Sequence, residues 1–289
     1  MTEFTDRFWT SRDRLRLHYR DYAGSESVGS GRPPVVCLAG LTRNARDFEA
    51  LAAHLAGEWR VLCVDNRGRG DSGYAKDSAT YNPIQYVDDL NLLLEEQEIE
   101  RFVALGTSLG GLMTMVVAMM APQKLAAVVL NDVGPEIEPE GLARIRDYVG
   151  QGRSFATWMH AARALLEAQG HVFPDFDISA WLAMAKRCMV VGSNGRNVFD
   201  YDMKIAEPFA QPGGEAGVDM WPGIDALKGK PALLLRGELS DVLSAKTHAA
   251  MAERLPGSEA VTIPRVGHAP TLDEPAAVAA IERLLAKVA

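Results

Sequence analysis

Short β-rich apolar runs alternate with helical segments along most of the chain, and this alternation limits the possible fold more than any other feature. Apolar runs of this length are typical of strands that a sheet buries on both faces. The runs lie at residues 35–39, 60–64, 102–105, 126–130, 232–235 and 260–263. Helical spacing of apolar residues separates them, at 44–55, 84–97, 109–120 and 245–255, and returns near the C-terminus. The pattern predicts an α/β fold with a mostly parallel sheet flanked by helices.

The alternation is interrupted once, between Gly134 and Pro231. From Pro135 to about Met220 the sequence has irregular helical character, is rich in Met, Trp and Phe, and shows no obvious strand. A segment of roughly 80 residues is far too long for a simple connection. We therefore predict a core domain formed by residues 1–134 and 221–289, and a helical cap, or lid, formed by residues 135–220.

Charge and composition narrow the possible partners and the compartment. The formal net charge is −8, which argues against nucleic acid or an anionic membrane as a partner. The charged N-terminus lacks the apolar core of a signal peptide, and no run of about 18 apolar residues could span a bilayer. The three cysteines are too scattered for a disulfide framework or a zinc site. These features predict a cytoplasmic protein and leave a homodimer open.

The strongest chemical motif is the G-x-S-x-G formed by residues 106–110. It lies between a predicted strand and a predicted helix, which is the context that this motif requires of a nucleophilic serine. Gly106 and Gly110 would let the strand and the helix approach closely around a strained turn at Ser108. The alternative is a glycine-rich turn without chemistry. We favour Ser108 as the nucleophile.

A serine nucleophile needs a base, and His268 is the histidine best placed to serve as one. It follows the last predicted strand and precedes the last predicted helix, at the sheet edge where α/β sites form. The other five histidines lie in predicted helices, in the first strand pair or in the insertion.

Two aspartates compete to orient the base. Asp241 follows the strand at 232–235, and Asp132 follows the strand at 126–130. We favour Asp241, because its spacing to His268 is the common one in the chain order Ser–Asp–His. Asp132 is then assigned to the start of the insertion.

Backbone amides must stabilise the oxyanion. The N–H of Leu109 follows the nucleophile, and the N–H of Leu41 lies in the turn after the strand at 35–39. One such donor contributes about 3 kcal/mol of transition-state stabilisation.

A second glycine motif, at residues 68–73, matches the dinucleotide pattern G-x-G-x-x-G. No helix opens directly after it, so no helix N-terminus would receive a pyrophosphate. We interpret Asp65 and Arg67 as structural anchors of this loop.

Taken together, these segments resemble the α/β-hydrolase family over nearly the whole chain outside the insertion. The segments that carry the resemblance are the turn 38–41, the loop 65–72, the elbow 106–110, the acid loop 236–241 and Gly267-His268. The resemblance is to esterases, enol-lactone hydrolases, carbon–carbon bond hydrolases and cofactor-free haloperoxidases. It implies an eight-stranded sheet with a helical cap inserted between strands six and seven.

Two positions refine the resemblance. Ala39 stands where many relatives have histidine at the oxyanion turn, which preserves the backbone donor but changes its surroundings. Ser108 stands where dehalogenating relatives have aspartate, which argues against a haloalkane dehalogenase.

The sequence therefore predicts a serine hydrolase that cleaves carboxylic esters through an acyl-enzyme, with no metal or organic cofactor. Lactone or carbon–carbon bond hydrolysis by the same triad, and a non-catalytic small-molecule binding role, remain alternatives. The expected partner is a small ester or lactone with an apolar part. Three apolar side chains of the predicted cap are candidate substrate contacts: Trp158, Trp181 and Met184. The alternative is that they only pack the cap against the core.

Overall fold

The computed structural model describes residues 3–24, 31–210 and 219–288. Its strands are β1 (Phe4–Thr10), β2 (Arg16–Tyr22), β3 (Val35–Leu38), β4 (Val61–Asp65), β5 (Phe102–Thr107), β6 (Leu125–Asn131), β7 (Ser154–Phe155), β8 (Met189–Val191), β9 (Asn197–Phe199), β10 (Ala232–Gly237) and β11 (Glu259–Ile263). Its helices are α1 (Glu49–Leu55), α2 (Pro83–Glu96), α3 (Leu109–Met120), α4 (Pro139–Tyr148), α5 (Trp158–Gln169), α6 (Ile178–Cys188), α7 (Glu207–Ala210), α8 (Trp221–Asp225), α9 (Ala245–Arg254) and α10 (Pro275–Leu285).

The main sheet has eight strands in the order β1-β2-β4-β3-β5-β6-β10-β11. Strand β2 pairs antiparallel with both β1 and β4. The remaining neighbours in this order, β4-β3-β5-β6-β10-β11, pair parallel. This is the predicted mostly parallel sheet, and the edge formed by β1 and β2 is antiparallel. The carboxyl ends of its parallel strands meet at one edge, which is where α/β folds form their sites.

Both faces of the sheet are buried, which explains why its central strands are continuously apolar. In β3, Val36 and Leu38 belong to one apolar cluster, while Val35 and Cys37 belong to the cluster on the opposite face. Successive side chains of a strand point to opposite faces, so a doubly covered strand needs apolar residues at every position.

The segment between β6 and β10 contains helices α4 to α8, of which α4 to α7 lie within the predicted cap range, and it also contains strands. Strands β7, β9 and β8 form a small antiparallel sheet. The expectation that this segment has no strand is therefore wrong. Strands of two or three residues are too short to produce a readable alternation of apolar and polar residues.

The predicted core and cap ranges include residues 1–2, 25–30, 211–218 and 289, which lie outside the described residues. In the part of the chain that the structure describes, no helix is both long and apolar enough to cross a bilayer.

The glycine-rich loop after β4 is organised by the two residues interpreted as anchors. Asp65 accepts hydrogen bonds from the backbone N–H of Ala45 and of Asp71, at 2.6 and 3.1 Å. Arg67 is fully buried and forms ion pairs with Asp89 and Asp13. Because the side chains of Asp65 and Arg67 are both engaged within the protein, these two residues support the fold.

Candidate active site

Ser108 lies on a sharp turn between β5 and α3, with φ 52° and ψ −115°. This conformation is costly for a residue with a side chain, and it persists because the surrounding packing fixes it. A Cβ on Gly106 would lie 2.4 Å from the Gly110 backbone, and a Cβ on Gly110 would lie 2.0 Å from the Leu38 carbonyl oxygen. Both glycines are therefore needed for strand and helix to approach at the serine.

His268 lies on the loop after β11, and its ring reaches the serine. Its Nε2 is 2.9 Å from Ser108 Oγ, within hydrogen-bond distance. The side chain is 9% exposed, so the contact is largely shielded from water. The structure thus brings together the predicted nucleophile and the predicted base, from residues 160 positions apart.

The carboxylate that contacts the base is Asp132, which corrects the prediction that Asp241 orients His268. Asp132 Oδ2 lies 2.7 Å from His268 Nδ1, and the Asp132 side chain is fully buried. Asp241 instead forms a two-pronged ion pair with Arg144 of α4, with one contact of 2.7 Å. Burial raises the pKa of Asp241, but the hydrogen bond and charge of Arg144 lower it by more, so the carboxylate stays ionised for that pair.

The physical reason for the correction lies in the cap. A Cβ on Gly141 of α4 would lie 2.3 Å from the Asp241 carbonyl oxygen, so the helix packs directly on the Asp241 backbone. Arg144 is one turn further along the same helix and takes the carboxylate. Asp132 follows β6, which is the direct neighbour of β5, the strand that ends just before Ser108.

Asp132 is held by hydrogen bonds from the end of β10 and from the loop after it. The Gly237 N–H donates to its Oδ1 at 2.8 Å, and the Ser240 hydroxyl donates to its Oδ2 at 2.7 Å. These donors stabilise a buried carboxylate that would otherwise carry a large desolvation cost. Sequence reasoning missed Ser240, because a serine in a loop gives no sign of which carboxylate it will reach.

The two predicted oxyanion donors lie on either side of the nucleophile. Leu109 begins α3, and the first N–H groups of a helix have no partner within the helix. Leu41 lines the same cavity as Ser108, and in the described chain no acceptor takes its N–H. A Cβ on Gly40 would lie 3.7 Å from Ser108 Cβ, so this turn packs directly beside the serine.

Arg69 supports the Leu41 turn and was not among the predicted site residues. Its Nε donates to the Leu41 carbonyl at 2.8 Å, and its Nη1 donates to the Arg67 carbonyl at 2.7 Å. The residue is fully buried. Its guanidinium therefore holds the carbonyl of Leu41, the residue whose N–H is a predicted oxyanion donor. The glycine-rich motif at residues 68–73, which contains Arg69, was the sequence feature that could have pointed to this residue.

Ser108 and His268 line a cavity of about 170 Å³ together with residues of the predicted cap range. Of the three predicted cap contacts, Met184 lines this cavity. Trp181 and Trp158 are not among its lining residues. Trp181 is fully buried, with its ring 5.4 Å from that of Phe176, and Trp158 packs against the same apolar cluster. The two tryptophans therefore pack within this apolar cluster and are not substrate contacts in the cavity.

The cavity contains polar groups close to the oxyanion turn. Arg43 pairs with Asp47 and donates to the sulfur of Cys188 at 2.7 Å. Burial lowers the pKa of Arg43, but Asp47 and the neighbouring thiol raise it by more, so the guanidinium stays charged. Burial raises the pKa of the Tyr148 hydroxyl, with Arg144 and Arg43 opposing. The tyrosine therefore stays neutral and can donate a hydrogen bond.

Comparison with known proteins gives a consistent picture. Residues 35–281 match the model of the "Alpha/beta hydrolase family". A 3-hydroxybutyrate-oligomer hydrolase of Cupriavidus necator is 35% identical over 254 residues, covering 85% of each chain. An esterase of Mycobacterium tuberculosis is 29% identical over 263 residues, covering 88% of this chain and 83% of its own. The crystal structure of an alpha/beta hydrolase from Novosphingobium aromaticivorans superposes with a TM-score of 0.95, at 65% identity and with 100% of both chains covered.

Proposed function

The chain belongs to the alpha/beta hydrolase family and is a hydrolase, and from this premise we propose that it cleaves carboxylic esters through an acyl-enzyme on Ser108. The observation that carries the proposal is the continuous contact from Ser108 Oγ through His268 to Asp132, at 2.9 and 2.7 Å. A serine, a histidine and a buried carboxylate in this order are what acyl transfer requires.

In the first half of the reaction, His268 Nε2 removes the Ser108 hydroxyl proton as Oγ attacks the ester carbonyl carbon. The carbonyl oxygen becomes an oxyanion, which the N–H groups of Leu41 and Leu109 stabilise. The C–O bond to the alcohol then breaks, and the imidazolium returns its proton to the leaving oxygen. Asp132 holds the imidazole in the required tautomer and stabilises the imidazolium.

In the second half, water replaces the alcohol. His268 removes a proton from the water as its oxygen attacks the acyl carbon, the Ser108 ester bond breaks, and Oγ recovers the proton. The products are the carboxylic acid and the free enzyme.

The relatives support an ester as the substrate. One is named an esterase, and another is named for 3-hydroxybutyrate oligomers, whose units would be joined by ester bonds. The cavity of about 170 Å³ is lined by both apolar and polar side chains, which suits a small ester with a short apolar part. We therefore include short oligoesters of hydroxy acids among the candidate substrates.

The test is turnover of 4-nitrophenyl esters from acetate to decanoate by the wild type, Ser108→Ala and Ser78→Ala. Ser78 begins a short 3₁₀ turn away from the site and serves as the matched control. We expect Ser108→Ala to lose activity by on the order of 10⁴-fold or more, and Ser78→Ala to match the wild type.

Two other outcomes would count against the proposal. Equal activity of the wild type and Ser108→Ala would exclude Ser108 as the nucleophile. Absence of turnover on every ester, together with labelling of Ser108 by an organophosphonate, would favour lactone or carbon–carbon bond hydrolysis. Absence of labelling as well would favour a binding role.

A further inference from the structure

The cavity that contains Ser108 is rich in arginine. Arg43, Arg144, Arg153 and Arg187 line it, against Asp47 as the lining carboxylate. A guanidinium that lines a cavity must be paired with a carboxylate or stay in contact with water, because burying it alone is costly. Arg153 is the exposed member of this set. How each arginine is paired therefore indicates which charge is left for a ligand.

Three of these arginines are neutralised by carboxylates of the protein. The pairs are Arg43–Asp47, Arg144–Asp241 and Arg187–Asp273. The last two join the cap to the core. In these three pairs the cation has a structural role, and no net positive charge remains for a substrate.

Arg153 is the exception. Within residues 3–24, 31–210 and 219–288, no carboxylate lies within ion-pair distance of its guanidinium. That group lies over the ring of Phe155, 5.7 Å from its centroid, in cation–π contact. An aromatic ring can hold a guanidinium in place without neutralising its charge or occupying its N–H donors. The fork of Arg153 therefore remains available to an oxygen ligand.

The position of Arg153 relates this free charge to the reaction. Arg153 immediately precedes β7 in the cap, whereas Ser108 lies in the core, and both line the same cavity. Phe155 and Phe199 also line it, and their strands β7 and β9 are paired. The lining of the cavity thus combines the serine, two aromatic side chains and a guanidinium without a carboxylate partner.

We propose that Arg153 binds a carboxylate of the substrate, so that the enzyme prefers esters bearing a free acid group to neutral esters of the same length. This rests on the proposed ester hydrolysis. The recognised class is an ester acid, such as a half-ester of an aliphatic dicarboxylic acid or an acylated hydroxy acid. A planar guanidinium and a carboxylate form two parallel hydrogen bonds, which adds orientation to attraction.

The experiment compares matched pairs of charged and neutral substrates. In one series, mono-4-nitrophenyl esters of succinate, glutarate, adipate and suberate are paired with their methyl-capped diesters. In the other, butyryl esters of ω-hydroxy acids are paired with the corresponding methyl esters, so that both sides of the scissile bond are probed. The quantity measured is the ratio of kcat/KM for the charged substrate to that for the neutral one.

The variants are Arg153→Gln, Arg153→Lys and Arg163→Gln. Arg163 is an exposed arginine of α5 that does not line the cavity, and it serves as the control for net charge. We expect the wild type to prefer the charged member of at least one series by about tenfold, and Arg153→Gln to abolish that preference. Arg153→Lys should retain part of it, and Arg163→Gln should retain all of it. Added salt should reduce the wild-type ratio.

Two results would overturn the inference and leave ester hydrolysis standing. One is Ser108-dependent turnover with no preference for the charged member at any length. The other is a preference that Arg153→Gln leaves unchanged. If the wild type hydrolyses neither member of any pair, the inference fails. If it also turns over none of the 4-nitrophenyl esters from acetate to decanoate, the proposed function fails as well.

Discussion

The hydroxyl of Ser240 lies 2.7 Å from Oδ2 of Asp132, the same oxygen that lies 2.7 Å from Nδ1 of His268. The loop after β10, where sequence reasoning placed the catalytic acid, thus supplies a donor to the acid that follows β6. The hydroxyl oxygen of Ser240 also accepts from the N–H groups of Val242 and Leu243, at 3.2 and 3.1 Å. Ser240 therefore couples the conformation of this loop to the orientation of Asp132.

We predict that Ser240→Ala lowers kcat by about tenfold with a smaller change in KM, because a hydrogen bond to a charged group contributes about 1.5 kcal/mol or more. Ser240→Thr keeps the hydroxyl and should recover most of the loss. Initial rates of ester turnover at substrate concentrations below and above KM separate the two constants. A fall in KM alone, or equal loss in the alanine and threonine variants, would show that Ser240 does not position Asp132.

The assignment of Asp132 predicts opposite outcomes for two isosteric variants. Asp132→Asn should reduce kcat by on the order of 10⁴-fold, because an amide cannot stabilise the imidazolium and favours the wrong tautomer. Asp241→Asn should stay within about tenfold of the wild type, since its carboxylate contacts Arg144 and a partly exposed pair of this kind contributes little. Measuring kcat of both variants and the wild type on the same ester decides which aspartate orients His268. A larger loss in Asp241→Asn would reverse the assignment.

The turn at Ser108 makes a prediction about stability. Gly110→Ala would place a methyl group 2.0 Å from the Leu38 carbonyl oxygen, which the backbone cannot move aside cheaply. We expect it to lower the free energy of unfolding by more than about 3 kcal/mol, or to prevent folding. Gly152→Ala is the control, because its nearest neighbour would be 4.0 Å away, and it should change stability by about 0.5 kcal/mol or less. Urea denaturation compares the two variants, and equal stability would contradict the steric account.

Much of this architecture could be predicted because strands buried on both faces require continuous apolar runs, as in β3 and β6. The motif around Ser108 was readable for a similar reason, since the turn has no tolerance for side chains at Gly106 and Gly110. Burial of both strand faces and close backbone approach at a turn are local constraints, and each restricts which residue types can occupy the positions concerned.

The errors arose where the outcome depends on contacts between distant segments. Asp132 and Asp241 follow neighbouring strands, and which of them reaches His268 is decided by the packing of α4 on the Asp241 loop. Trp181 and Met184 are both apolar residues of α6, yet Met184 lines the cavity and Trp181 packs among cap aromatics. Apolar character alone does not distinguish a cavity wall from a core.

His18 gives a prediction about pH. Its ring is buried, with Nδ1 2.7 Å from Asp65 and Nε2 3.0 Å from Asp6, and Asp71 is also nearby. Burial lowers the pKa of His18, but these carboxylates raise it by more, so it lies above the ordinary 6.5. At a pH between the pKa of His18 in the unfolded chain and its higher pKa in the folded protein, the folded state binds more protons than the unfolded state. Stability therefore falls as the pH rises through this range. The contribution is complete below the unfolded pKa and is lost above the folded one.

The difference in unfolding free energy between the wild type and His18→Asn isolates this effect. Asparagine can still donate a hydrogen bond to Asp65 but cannot become charged, so the advantage of the wild type should be larger at about pH 6 than at about pH 9. Burial lowers the pKa of His248, which favours stability at higher pH, but His248 is present in both proteins and its effect cancels. Urea denaturation across this range measures the difference. An advantage that stays constant or grows with pH would mean that His18 is neutral in the folded protein, and that its contacts with Asp65 and Asp6 act as ordinary hydrogen bonds.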